Sequence, residues 1–142
     1  MKQGRGRIYL NFGNIESELD FLSELHARAE DLIEDLPDDI YTAEMHGHSI
    51  KQLMDHMIDG ERSWISKTAD IKDFPDISNC EELARFTKNA LDGLVLDSEI
   101  SVGPFTSVGQ VVRHLEWHWT YHSAQIGFLR KSLGHEYKWT YA

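Results

Sequence analysis

The chain has one cysteine, Cys80, among 142 residues, so no disulfide can close within it. That scarcity leads to the expectation of a reducing, cytoplasmic setting. The length makes cross-links unnecessary, since a chain of roughly 150 residues buries about 68–70% of its unfolded surface. No stretch approaches the ~18 uninterrupted apolar residues of a membrane span, and the opening "MKQGRGRIYLNFGN" lacks the apolar run of a secretion signal. Positive charge is also scarce. Fourteen Lys and Arg face 24 Asp and Glu, for a net charge of −10, which argues against nucleic acid, because phosphate neutralisation supplies most of that affinity. The only basic cluster is Lys2, Arg5 and Arg7, beside glycines, which suits a loose tail better than a DNA-binding arm. Alternating strand patterns are nearly missing, "RIYLNF" being the one short candidate. No internal repeat or low-complexity tract divides the chain.

What remains is helical periodicity. Ile15, Leu19, Leu22, Leu25, Ala29, Leu32, Ile33 and Leu36 recur at three- and four-residue steps and predict a first helix over Ile15–Leu36, capped by Asn14 and stopped by Pro37. A second helix follows Ser49, which with Gln52 forms a capping-box pattern, and carries Ile50, Leu53, Met54, Met57, Trp64 and Ile65. Ser78 with Glu81 predicts the start of a third helix, carrying Leu83, Phe86, Ala90, Leu91, Leu94 and Val95. Ser107 with Gln110 predicts the start of a fourth, ending at Gly134, a natural left-handed C′ residue. The expectation is an all-α four-helix bundle in a single domain over 1–142, with 1–13 as an N-terminal tail and 135–142 as a C-terminal extension. The longest connection, roughly Lys67 to Asn79, is long enough to let the second and third helices run parallel.

The last helix holds "RHLEWHWTYHSAQIGFL", with His114, His118 and His122 each four residues apart. At ~100° per residue, with His118 set at zero, the apolar stripe of this helix centres near about 65–70°. His122 falls inside the stripe, His118 at its edge, and His114 beyond that same edge, toward solvent or a cleft rim. Histidines at i and i+4 can chelate one metal ion through neutral imidazole nitrogens. A third ligand must come from another helix, and His56, beside Leu53 and Met57 and on a strip with Gly60, is the candidate. The competing reading is of core histidines bonded to backbone carbonyls, or of a polar ridge. Three interior histidines in one small bundle would be costly without a shared purpose.

The segments "DHMIDGERSW" and "EWHWTYHSAQIGFLRKSLG" resemble the two signature segments of the DinB-like (YfiT-like) metal-binding four-helix bundles. The resemblance runs from the first helix to Gly134. It implies an up-down-down-up topology with a long crossover between the second and third helices. It carries the three metal-binding histidines over to His56, His118 and His122. The usual Arg-Gly after the last histidine is Ser123-Ala124 here, so an anion-binding arginine is lost. The resemblance further implies one divalent transition metal, zinc or nickel first, iron or copper as alternatives. It implies a low-molecular-weight thiol, such as bacillithiol or mycothiol, whose sulfur the metal acidifies for attack on a small electrophile. Metal-dependent hydrolysis is the alternative chemistry.

Asp59, Glu61 and Glu116 are candidates to orient the histidines, against the plainer reading of solvated helix charges. Tyr121 and Trp119 either line a pocket or pack in a core or interface. A di-iron bundle needs Glu-x-x-His pairs, which are missing, and the zincin pattern H-E-x-x-H fails at "HEYKW". A non-enzymatic reading stands beside the enzymatic one: a metal-binding or stress-response bundle that forms a homodimer through Trp117, Trp119, Tyr121, Trp139 and Tyr141. His26 and His135 receive no role. His46 and His48 read as loop polarity ahead of the second helix.

Overall fold

The computed structural model describes residues 13–139. The predicted basic tail and the "RIYLNF" strand candidate lie outside them, as do residues 140–142 of the C-terminal extension. Among the described residues the chain is mostly helical, with one small two-stranded sheet.

Helix α1 spans Ile15–Asp31. Asn14 Oδ1 accepts from the Ser17 N–H at 2.9 Å and Ser17 Oγ accepts from the Asn14 N–H at 3.1 Å, a reciprocal cap that satisfies two orphan donors. The helix stops five residues short of the expected Leu36. The reason lies far away in sequence: the buried Arg130 guanidinium donates to the Leu32 carbonyl at 2.6 Å. The chain beyond tightens into three-residue turns, Ile33 N–H to Glu30 O and Leu36 N–H to Ile33 O. A one-turn helix, α2 (Asp38–Tyr41), follows Pro37. A tight reversal then pairs Met45 with His48, with His46 and Gly47 both at positive φ.

Helix α3 spans Ile50–Thr68, and the Ser49–Gln52 capping box is formed in both directions. Helix α4 spans Cys80–Ala90. Its cap is Asn79, whose side chain accepts from the Glu82 N–H at 2.9 Å, not Ser78 as the spacing predicts. It also ends before Leu94 and Val95, because the chain turns through Gly93 at φ +82°. The spacing reading has no counterpart for the next element. Strands β1 (Glu99–Val102) and β2 (Phe105–Ser107) form an antiparallel hairpin around Gly103-Pro104. Gly103 takes a positive φ of 54° there, and a Cβ on it would meet the Trp64 ring at 3.2 Å.

Ser107 ends the hairpin and caps α5 (Val108–Ser132), accepting from the Gln110 N–H at 3.3 Å. Only half of the expected box forms, since the Gln110 side chain accepts from the Thr106 N–H instead. Gly134 closes α5 as predicted, at φ +80°. The His135 N–H bonds the Arg130 carbonyl and the Gly134 N–H the Lys131 carbonyl, a Schellman ending.

The four longer helices pack α1 on α5, α5 on α3, α3 on α4 and α4 on α1. Their shared core is built on Leu22, Ile50, Met57, Ile65, Leu83, Leu115, Trp119 and Ile126, all nearly or fully buried. The described start of the C-terminal extension lies against α1 and α5. Arg130 Nε donates to the His135 carbonyl at 2.7 Å, the Tyr137 hydroxyl bonds Asp31, and Trp139 sits over Gly127.

Candidate metal centre

Two helices supply three imidazoles to one point. His56 comes from α3, and His118 and His122 come from successive turns of α5. One ring nitrogen from each lies within 4.8 Å of the others. The rings form a near-equilateral triangle, with centroids 4.7 Å apart for His56–His118, 4.7 Å for His56–His122 and 4.6 Å for His118–His122. His56 Nε2 and His118 Nε2 approach to 3.0 Å.

The cluster sits nearer the surface than the sequence suggests. His118 and His122 are half-buried, but His56 is exposed, so the expectation of three interior histidines is corrected. His56 is flanked in sequence by Met57, which is buried, and by exposed Asp55. It stands at the seam between the packed and open sides of α3.

Gly60 explains how the helices come close enough. A Cβ at this position would stand 2.8 Å from His118 Cε1, nearer than real side chains tolerate. The His118 ring thus fills the space that glycine leaves on α3. His122 is aimed by its own helix: Nδ1–H donates to Gln125 Oε1, which frees Nε2 as a lone-pair donor. Burial, reinforced by the other three histidines around it, pulls the His118 pKa down to about 4. Burial also lowers that of His122, against an opposing hydrogen bond from Gln125 and with His56 and His48 assisting. Both rings are therefore neutral at pH 7, the protonation state that ligates metal. His118 Nδ1 is buried without a hydrogen-bond partner.

His114 neither joins the triangle nor faces open water. It stacks on His118 at 5.9 Å and packs between Trp64 at 5.6 Å and Phe105 at 5.2 Å. The β-hairpin delivers Phe105 to this aromatic wall, a feature that helical periodicity alone could not reveal. Tyr121 covers the other flank, its ring 5.1 Å from His122. Trp119 does not line the site; it is fully buried in the core.

None of the three carboxylates expected to orient the histidines forms a hydrogen bond or ion pair with His56, His118 or His122. Asp59 is exposed and pairs with Arg62 at 3.5 Å. Glu61 is fully buried rather than solvated, and accepts from His26 Nε2 at 2.7 Å, Trp119 Nε1 at 2.9 Å and Thr87 Oγ1 at 2.6 Å. Glu116 is also buried, 3.4 Å from Arg113 Nη1. Burial, reinforced by Glu18 and opposed by Arg113, pushes its carboxyl up to about 8. In the loop before α3, His46 packs on Phe128 at 5.3 Å. Cys80 is buried and its thiol is pushed up to about 12, chiefly by burial, so the chain's one sulfhydryl is not a reactive group.

No helix among the described residues is long and apolar enough to cross a membrane. Compared with known proteins, the chain matches no family model, no curated protein and no solved structure.

Proposed function

We propose that the chain is a DinB-like (YfiT-like) four-helix bundle, with up-down-down-up topology, in which His56, His118 and His122 hold one divalent transition metal. The observation that carries this reading is the convergence of three imidazole nitrogens from two helices within 4.8 Å. Zinc–nitrogen bonds of ~2.0–2.1 Å place tetrahedral ligand atoms roughly 3.3 Å apart, between the 3.0 Å of the closest pair and that outer limit. The donor set, all neutral nitrogen, suits zinc and nickel, and also iron and copper. The mutual packing of the four longer helices supports the bundle.

A divalent ion held by three imidazoles supplies a Lewis acid with an open coordination position, the property of a catalytic rather than a structural centre. The protein's own residues set the conditions around it. Gln125 fixes the His122 tautomer, and Gly60 admits His118. Trp64, Phe105 and His114 wall one side against water, and Tyr121 borders the other. Since Cys80 is buried and unreactive, thiol-dependent S-transferase chemistry here needs an external low-molecular-weight thiol, paired with a small electrophile. Metal-dependent hydrolysis is the alternative reaction at the same site. The single buried cysteine is compatible with a cytoplasmic location.

The test is turnover. Zinc- or nickel-loaded protein is mixed with bacillithiol or mycothiol and 1-chloro-2,4-dinitrobenzene, and thiol consumption is followed. Turnover that His122→Ala abolishes supports the transferase. Stoichiometric metal with no turnover for either thiol favours the second reading, a non-enzymatic metal-binding homodimer. That reading has its own support: Trp117, Tyr121 and Phe128 are 65%, 63% and 58% exposed on α5, at spacings that put them along one side of the helix.

A further inference from the structure

Helix α5 keeps a row of large apolar side chains on the outside of the bundle. Trp117, Tyr121 and Phe128 are more than half exposed, and exposed Ala124 stands between the last two. The steps of four, three and four residues are those of a two-helix seam. At the ~150–250 Å² that an aromatic side chain can bury, the exposed parts of the three rings offer roughly 400 Å² per copy. A patch of that size on a lone protein is often functional. Doubled, and with the polar rim that surrounds a helix contact, it reaches the ~1,200 Å² at which specific protein interfaces begin.

Charge and spacing say what covers it. The chain carries a net charge of −10, but the only acid of α5 is Glu116, which is buried. The outer face of this helix thus lacks the negative charge that holds two copies apart, and it has the aromatic-rich, acid-poor composition of an interface core. The row is also symmetric about the point between His122 and Ser123. An antiparallel second α5 sets Trp117 against the partner's Phe128 and Tyr121 against the partner's Ala124, large on small at the centre. A parallel one would stack each ring on its own copy, leave a gap at the two Ala124 methyls and set Lys131 beside Lys131.

We infer that this row is the seam of a homodimer in which α5 pairs antiparallel with α5 of a second copy. The inference rests on the homodimer of the second reading above, and needs no metal. It joins the interface to the candidate centre, since Tyr121 lies 5.1 Å from the His122 ring and Phe128 5.3 Å from the His46 ring. The partner helix then holds the Tyr121 flank of the histidine triangle in place.

The experiment is sedimentation equilibrium of the full chain. EDTA is present so that no ion bridges exposed histidines of two copies. At about 100 µM, wild type should sediment at twice the 16.4 kDa of one chain. Trp117→Lys and Phe128→Glu change exposed positions and should leave circular dichroism unaltered, while each raises the dimer Kd at least ~30-fold. Mixed in equal amounts, the two variants should recover the dimer. Antiparallel pairing brings the new lysine of one against the new glutamate of the other at one end, and leaves the natural Trp117–Phe128 contact at the other. A monomeric wild type overturns both this inference and the homodimer reading. A wild-type dimer that neither variant dissociates overturns the α5 seam alone, and a mixture that stays monomeric overturns its antiparallel register.

Discussion

Replacing Gly60 with alanine should damage metal binding more than it damages the fold. In the middle of α3 the substitution helps the helix, since alanine is favoured over glycine by ~0.8–1.0 kcal/mol. Against this, the new methyl would start 2.8 Å from His118 Cε1, so the ring must move by roughly half an ångström or more to reach ordinary contact. Overpacking of this kind costs ~1–3 kcal/mol. The two terms nearly offset, and the metal-free variant should lie between unchanged and about 2 kcal/mol less stable in urea. Ligation has no such compensation. A displaced His118 no longer meets His56 and His122 at the shared point, and zinc affinity, measured by competition with a chromophoric chelator, should fall at least ~10-fold, or about 1.4 kcal/mol. A variant that is stabilised by about 1 kcal/mol and binds zinc as tightly as wild type would refute the argument that glycine is there to admit the His118 ring.

Gln125→Leu removes the acceptor that fixes the His122 tautomer; zinc affinity should drop ~10–100-fold with little change in urea midpoint, and an unchanged affinity would mean that the hydrogen bond does not orient the ligand. Glu61→Leu strands three buried donors and should cost about 3–5 kcal/mol in urea unfolding while leaving metal stoichiometry intact, because Glu61 serves the core and not the triad. Stability should also depend on pH through Glu116. Its folded pKa, about 8, lies above the ordinary 4.5, so its contribution is fully present below about pH 4.5 and is lost as pH rises through about 8. Glu116→Gln should flatten that alkaline loss, and an identical wild-type and variant profile in thermal melts between pH 5 and 9 would contradict it. His118 acts in the opposite sense. Its folded pKa is depressed to about 4 from 6.5, so metal-free protein should lose stability as pH falls from about 6.5 toward 4, a slope that His118→Gln should reduce.

The parts of this molecule that were legible in sequence are those fixed by neighbours along the chain. Ser49 with Gln52 marks the start of α3, Gly134 marks the end of α5, and the four-residue step from His118 to His122 puts both rings on one side. What was not legible depends on partners far apart in sequence. Helix α1 ends early because Arg130, 98 residues later than Leu32, takes that carbonyl. Asn79 and Ser78 are both competent caps, and only the local backbone selects between them. The hairpin rests on four- and three-residue strands around Gly103-Pro104, too short for a periodic signal, yet it delivers Phe105 to His114. Glu61 reads as one more helix charge until His26, Thr87 and Trp119 arrive from three other helices. For the candidate centre, sequence spacing named His56, His118 and His122. It missed the exposure of His56 and the work of Gln125.

The central claim is that these three histidines form one metal site, and metal content per chain tests it most directly. Plasma mass spectrometry on tag-free protein, dialysed against zinc or nickel and then against buffer, should find close to one equivalent in wild type. His122→Ala, folded by circular dichroism, should retain almost none. A wild type that stays empty after both dialyses, or a His122→Ala protein that keeps its full equivalent, would contradict the account.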